Sequence, residues 1–115
     1  MENQIIRYVK GRHGKLVGCV MAMTFPSVAD QVFVTGSLCR TGVDVFSKKT
    51  AVALAQSRAE SMAFKGRVCQ LPFSLYGEVE HMADRASRYF RCRTIVLPSM
   101  KSNYPISNDA KELDW

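Results

Sequence analysis

Two lysines, Lys48 and Lys49, fall in the opening turn of a predicted helix within VFSKKTAVALAQSRAE, residues 45–60. The N-terminal end of a helix is positive, so it favours anions by about 0.3–1 kcal/mol each and disfavours cations. A Lys pair there works against local stability unless a negative group joins it. The hydroxyls of Ser47 and Thr50 and the unpaired backbone N–H groups of the first turn complete a donor set suited to a phosphate. The candidate site is the loop and helix start from Arg40 through Thr50, so Arg40 and Phe46, which precede the helix, belong to it. The glycine spacing of a Walker-type loop is absent, which argues against an ATPase. The alternative reading is that both lysines are solvated and neutralised by Asp44.

Arg58 adds a second signal. At about 100° per residue it falls inside the apolar arc of this helix, between Leu54 and Ala51, although arginine is rarely buried without a partner. Either it pairs with Asp44 or Glu60, or it faces a cleft where an anionic ligand is the partner. Its planar guanidinium suits bidentate phosphate contacts. A third candidate is DRASRYFRCR, residues 84–93, where Arg85, Arg88, Arg91 and Arg93 interleave with Tyr89 and Phe90. Such a mixture binds phosphates and stacks bases at about 1–3 kcal/mol per base. The competing account makes Tyr89 and Phe90 core and the arginines a solvated helix face. Arg93 returns to the apolar side at the helix end, a place where the dipole also favours a cation.

Catalytic groups are harder to assemble. The four cysteines, Cys19, Cys39, Cys69 and Cys92, are scattered without a CxxC pair, and the two histidines, His13 and His81, are far apart. Neither a disulfide framework nor a metal cluster is indicated. Cys39 or Cys92 with His81 lacks any local feature that fixes a nucleophile against a base. Glu78 and Glu80, at i and i+2 of a helix, point to different sides. The expectation is a protein that is not an enzyme and uses no cofactor or metal.

The elements that would position these residues follow from hydrophobic periodicity. NQIIRYVK and KLVGCVMAMTF are β-prone segments joined by GRHG, and QVFVTGSLC follows the PSVAD turn as a third strand. After RTGVDVF comes the first helix, with Ser47 or Asp44 as N-cap. Its face of Ala51, Val52, Ala55, Ala59 and Met62 is rich in alanine, which allows close approach to a sheet. Gly66 is the predicted terminator. RVCQLPFS is an extended link, a second amphipathic helix runs from about 75 to about 91, and RTIVLP is a fourth strand closed by Pro98. This order predicts an α+β fold: an antiparallel β-meander of three to four strands with two amphipathic helices packed on one face. Residues 1–98 form one ligand-binding domain in this reading, and 99–115 a tail that docks through Trp115 on a neighbouring subunit.

At 115 residues, with 47% hydrophobic and 23% charged residues, the chain fits one domain with a real core. No apolar run reaches the roughly 18–20 residues that span a bilayer, and a cytoplasmic protein is expected. The net charge of +6 points to nucleotides, nucleic acids or acidic proteins as partners.

The stretch VFVTGSLCRTGVDVFSKKTAVALAQSRAES, residues 32–61, resembles the first family of Thoeris anti-defence proteins, a group of small phage proteins. The resemblance covers about a quarter of the chain and rests on Cys39, Asp44, Phe46, Lys48, Lys49, Arg58 and Ala59. It implies a homo-oligomer, dimer or hexamer, that captures a cyclic ADP-ribose isomer, or a cyclic oligonucleotide, without cleaving it. The setting it implies is the cytoplasm of an infected bacterial host. Arg58 in SRAE would match a ligand-binding arginine of the family. Phe90, Asn103 and Tyr104 match the family's aromatic and amide contacts by residue type only. No arginine follows Arg93, a departure from the family's pattern. Beside this reading stand a small nucleic-acid-binding domain, using the arginine-rich second helix and the basic N-terminal hairpin, and a modulator of an acidic protein.

Overall fold

The structure, a computed structural model, describes residues 4–11, 14–28, 30–38, 46–91 and 94–101. Strands β1 (Gln4–Lys10), β2 (Leu16–Met23) and β3 (Gln31–Leu38) lead into helix α1 (Lys48–Phe64). Strand β4 (Gln70–Pro72), a 3-10 turn (Phe73–Leu75), helix α2 (Tyr76–Phe90) and strands β5 (Thr94–Val96) and β6 (Ser99–Lys101) complete the order. The main sheet runs β1-β2-β3-β5, and β4 pairs with β6. The α+β class, the antiparallel β1-β2-β3 meander and the two helices agree with the sequence expectation. β5 pairs parallel to β3 instead of antiparallel, because the chain between them crosses over through both helices.

A larger difference concerns the helices, which lie on opposite faces of the sheet and not together on one. Register fixes the faces: Tyr8 is opposite Cys19 and Cys19 opposite Ser37, so these three side chains share one face. α1 covers that face, where the Ser37 hydroxyl and the Cys19 thiol both donate to the Ala51 carbonyl, at 2.9 and 3.5 Å. Arg7, opposite Val20, points the other way and donates to Glu78 of α2 at 2.7 Å. Val79, Met82 and Ala86 of α2 are buried in the cluster that holds Val20, Ala22 and Val34. The physical cause is visible along β2 and β3, each buried at six consecutive positions. A strand covered on both faces needs apolar residues at every position and loses the in-out alternation.

The predicted stripe of α1 is largely as read: Ala51, Ala55, Ala59 and Met62 are buried, and Val52 is half-buried. In the cluster where the end of α1 meets α2, Leu71, Leu75 and Met82 are almost fully buried, each contributing about 1.5–3 kcal/mol relative to exposure. The expected tail from 99 begins with structure, since Ser99–Lys101 is β6 and the Ser99 N–H donates to the Cys69 carbonyl at 2.7 Å. Buried Pro98 is the link between β5 and β6, not the end of the domain. Among the described residues no helix is long and apolar enough to cross a membrane.

Candidate functional site

The candidate site is built where α1 ends. Gly66 takes the left-handed conformation, φ +65°, which a side chain would strain. The N–H groups of Lys65 and Arg67 both donate to the Ser61 carbonyl, at 3.0 and 3.2 Å. The chain is thereby turned back beside the helix, and an open cleft of about 360 Å³ forms between the two segments. Ser57, Arg58 and Ser61 line it from α1, Arg67 and Gln70 from the returning segment, with Val68 and Cys69 as its apolar part. The Cys69 thiol is 3.2 Å from the Thr35 hydroxyl, so this buried pair satisfies itself.

Arg58 is half-buried and donates from Nη1 to the Gly36 carbonyl at 2.7 Å. A side chain at Gly36 would place Cβ 2.5 Å from the Cys19 carbonyl oxygen, so glycine is what allows β2 and β3 to approach here. That close approach sets the acceptor that orients the guanidinium. Of the two sequence alternatives for Arg58, pairing with Glu60 is not what the structure shows, and Asp44 lies outside the described residues. One of its five N–H donors goes to Gly36, and the side chain borders the cleft. Among the described residues the lining has two guanidinium groups and no carboxylate.

The two lysines find a different environment. Ser47 is the N-cap, its Oγ accepting from the Thr50 N–H at 3.3 Å. Lys48 Nζ sits 4.8 Å from the centroid of the Tyr8 ring, and Phe46 meets the same ring edge-on with centroids 6.5 Å apart. The negative face of an aromatic ring is thus one partner for the first-turn cation, worth about 0.5–1 kcal/mol at an exposed position. Lys49 is exposed. Neither lysine lines the cleft, since at 1.5 Å rise per residue Lys48 is roughly 15 Å from Arg58 along the helix.

α2 lies across the sheet from these groups. Phe90 packs against the core, whereas Tyr89 is 62% exposed, so the reading of both rings as core holds for Phe90 alone. Arg88 pairs with Asp84 at 3.0 Å on the surface. Arg40, Arg93, Asn103 and Tyr104, along with Cys39 and Cys92, lie outside the described residues. The structure therefore brings Arg58 together with Arg67, Ser57, Ser61 and Gln70, none of which the sequence reading had placed in the site. The available signal was Gly66 followed by an arginine, returning toward the Arg58 face of the helix.

Burial pushes the Cys19 thiol above its ordinary pKa, outweighing the lowering by Ser37 and Arg58, so it is held as the neutral thiol. Among the described residues no three His, Cys, Asp or Glu side chains gather as a metal site. Comparison of the chain with known protein families, with curated proteins and with solved structures finds no match.

Proposed function

We propose that this chain is a non-catalytic binding protein that captures a phosphate-bearing nucleotide signal in the cleft of Arg58 and Arg67. The observation that carries the reading is two guanidinium groups on one cleft with no lining carboxylate among the described residues. Like charges brought together without a counterion favour an anion that joins them, and arginine matches phosphate geometry. Ser57, Ser61 and Gln70 add donors for the remaining oxygens. The resemblance of residues 32–61 supports a cyclic ADP-ribose isomer or a cyclic oligonucleotide as the signal, held intact to blunt a bacterial defence. In that setting the protein works in the host cytoplasm as a homo-oligomer, and Arg40, Arg93, Asn103 and Tyr104, outside the described residues, are candidates for further contacts, whereas Phe90 packs against the core.

The test is to incubate the purified protein with an extract containing defence signals, wash, denature with heat and identify the released molecule by mass spectrometry. An intact nucleotide released by the wild type and not by an Arg58→Ala/Arg67→Ala variant is the expected result. A cleaved nucleotide would make the protein an enzyme, and no release at all would remove the proposal.

Exposed Tyr89, with Arg85 one turn before it on the same helix, favours a second reading, a single-stranded nucleic-acid surface on α2. A polymer binder loses affinity steeply with salt, with a slope of about −0.7 per neutralised phosphate, while capture of a small dianion is much less salt-sensitive.

A further inference from the structure

We infer that the cleft recognises the diphosphate and ribose portion of its ligand and is indifferent to the base, an inference that rests on the anion-capture reading above. A site that reads a base needs a ring to stack on it, or fixed donors and acceptors along its edge. Stacking alone is worth roughly 5- to 150-fold in affinity per base. Among the described residues no aromatic ring lines the cleft.

The described rings are engaged elsewhere. Tyr8 and Phe46 sit at the opposite end of α1, Phe25 contacts Phe33 and Phe64, and Phe73 stacks on Tyr76 at the start of α2. What the cleft does offer is a row of donors. Ser57 and Ser61, at i and i+4, put two hydroxyls on one helix face beside Arg58, and hydroxyls pair equally well with phosphate oxygens and ribose hydroxyls.

The two arginines come from separate segments, Arg58 from the helix and Arg67 from the chain that returns past Gly66. Gly36 holds Arg58 from one side, and the Ser61 carbonyl holds the backbone of Arg67. Two cationic side chains on two walls, Arg58 oriented by Gly36 and Arg67 free to swing toward a ligand from an anchored backbone, match two linked phosphates better than one. Val68 and Cys69 offer an apolar surface without directional groups, and the exposed Gln70 amide has no side-chain partner among the described residues to fix it along a base edge.

The experiment is titration calorimetry of the full chain with inorganic pyrophosphate, ADP, UDP, AMP and adenosine. ADP and UDP are expected to bind within about threefold of each other, AMP at least about tenfold more weakly, and adenosine not measurably. Arg58→Ala and Arg67→Ala should each weaken pyrophosphate and ADP by a common factor. If ADP exceeds UDP by more than about tenfold while both still depend on Arg67, the base is read and this inference falls, although phosphate capture stands. Adenosine competing as well as ADP would sink the inference in the same way. Failure of every phosphate compound to bind would overturn both it and the reading beneath it.

Discussion

Replacing Arg58 and Arg67 separately by alanine distinguishes a structural arginine from a ligand-binding one. The Arg58–Gly36 bond, at 2.7 Å, lies at the short end of the range for charge-assisted hydrogen bonds. Bonds to charged groups contribute about 1.5–3 kcal/mol. The lower figure applies here, because the bond is only part-buried, with Arg58 itself half-exposed, so water can replace the guanidinium once it is gone. For a chain of this size about 1.5 kcal/mol corresponds to a fall in Tm of roughly 6–8 °C. Arg67 is exposed and has no side-chain partner among the described residues, so Arg67→Ala should stay within about 0.5 kcal/mol of the wild type. Binding behaves differently. Each variant removes one charge-assisted contact to phosphate, about 1.5–3 kcal/mol or roughly 10- to 150-fold in Kd for pyrophosphate. Thermal denaturation followed by calorimetry reads both quantities. An Arg67→Ala protein that melts normally and binds pyrophosphate as the wild type does would refute the assignment of the cleft.

Other substitutions probe the parts that hold this arrangement. Gly36→Ala pushes Cβ into the Cys19 carbonyl, should cost about 1–3 kcal/mol in urea denaturation, and should weaken pyrophosphate binding as the acceptor of Arg58 shifts. Lys49→Glu places an anion in the first turn of α1 and should stabilise the protein by about 0.3–1 kcal/mol at low salt, with pyrophosphate affinity unchanged. Cys19 supplies a pH test. Its thiol is raised by burial above the ordinary 9.0, so the unfolded chain releases that proton first. Its stability contribution is full below about pH 9 and is lost as pH rises toward the folded value. Cys19→Ser, which keeps a hydrogen-bonding group and does not titrate there, should show a flatter decline in denaturant midpoint above pH 9.

The sequence was informative wherever the signal was local. The Ser47 cap, the Gly66 stop, the alanine stripe of α1 and the first three strands each rest on neighbouring residues, and each is found close to where it was read. The placement of the helices needed a different clue. GCVMA and VFVTGS lack the alternation of a half-buried strand, and that absence marks coverage on both faces. β6 carries no sequence signal of its own, being three residues defined by pairing with β4 far back in the chain. The same holds for the cleft: Arg58 was legible as an anomaly within an apolar arc, but its neighbour Arg67 depends on how the chain folds back after Gly66. Tyr89 shows the limit of wheel projection. It lies at the margin of the buried set Val79, Met82, Ala86, and a modest rotation of the helix leaves it in solvent.

The sandwiching of β2 and β3 also bears on the order in which the protein can be made. As the chain leaves the ribosome, the meander and α1 are complete about thirty residues before β5 emerges, and until α2 arrives Val20, Ala22 and Val34 have no cover. A nascent chain at that length is sticky on one side. Slow synthesis through residues 65–90 should therefore favour aggregation, and a chaperone that shields a bare sheet should raise the yield.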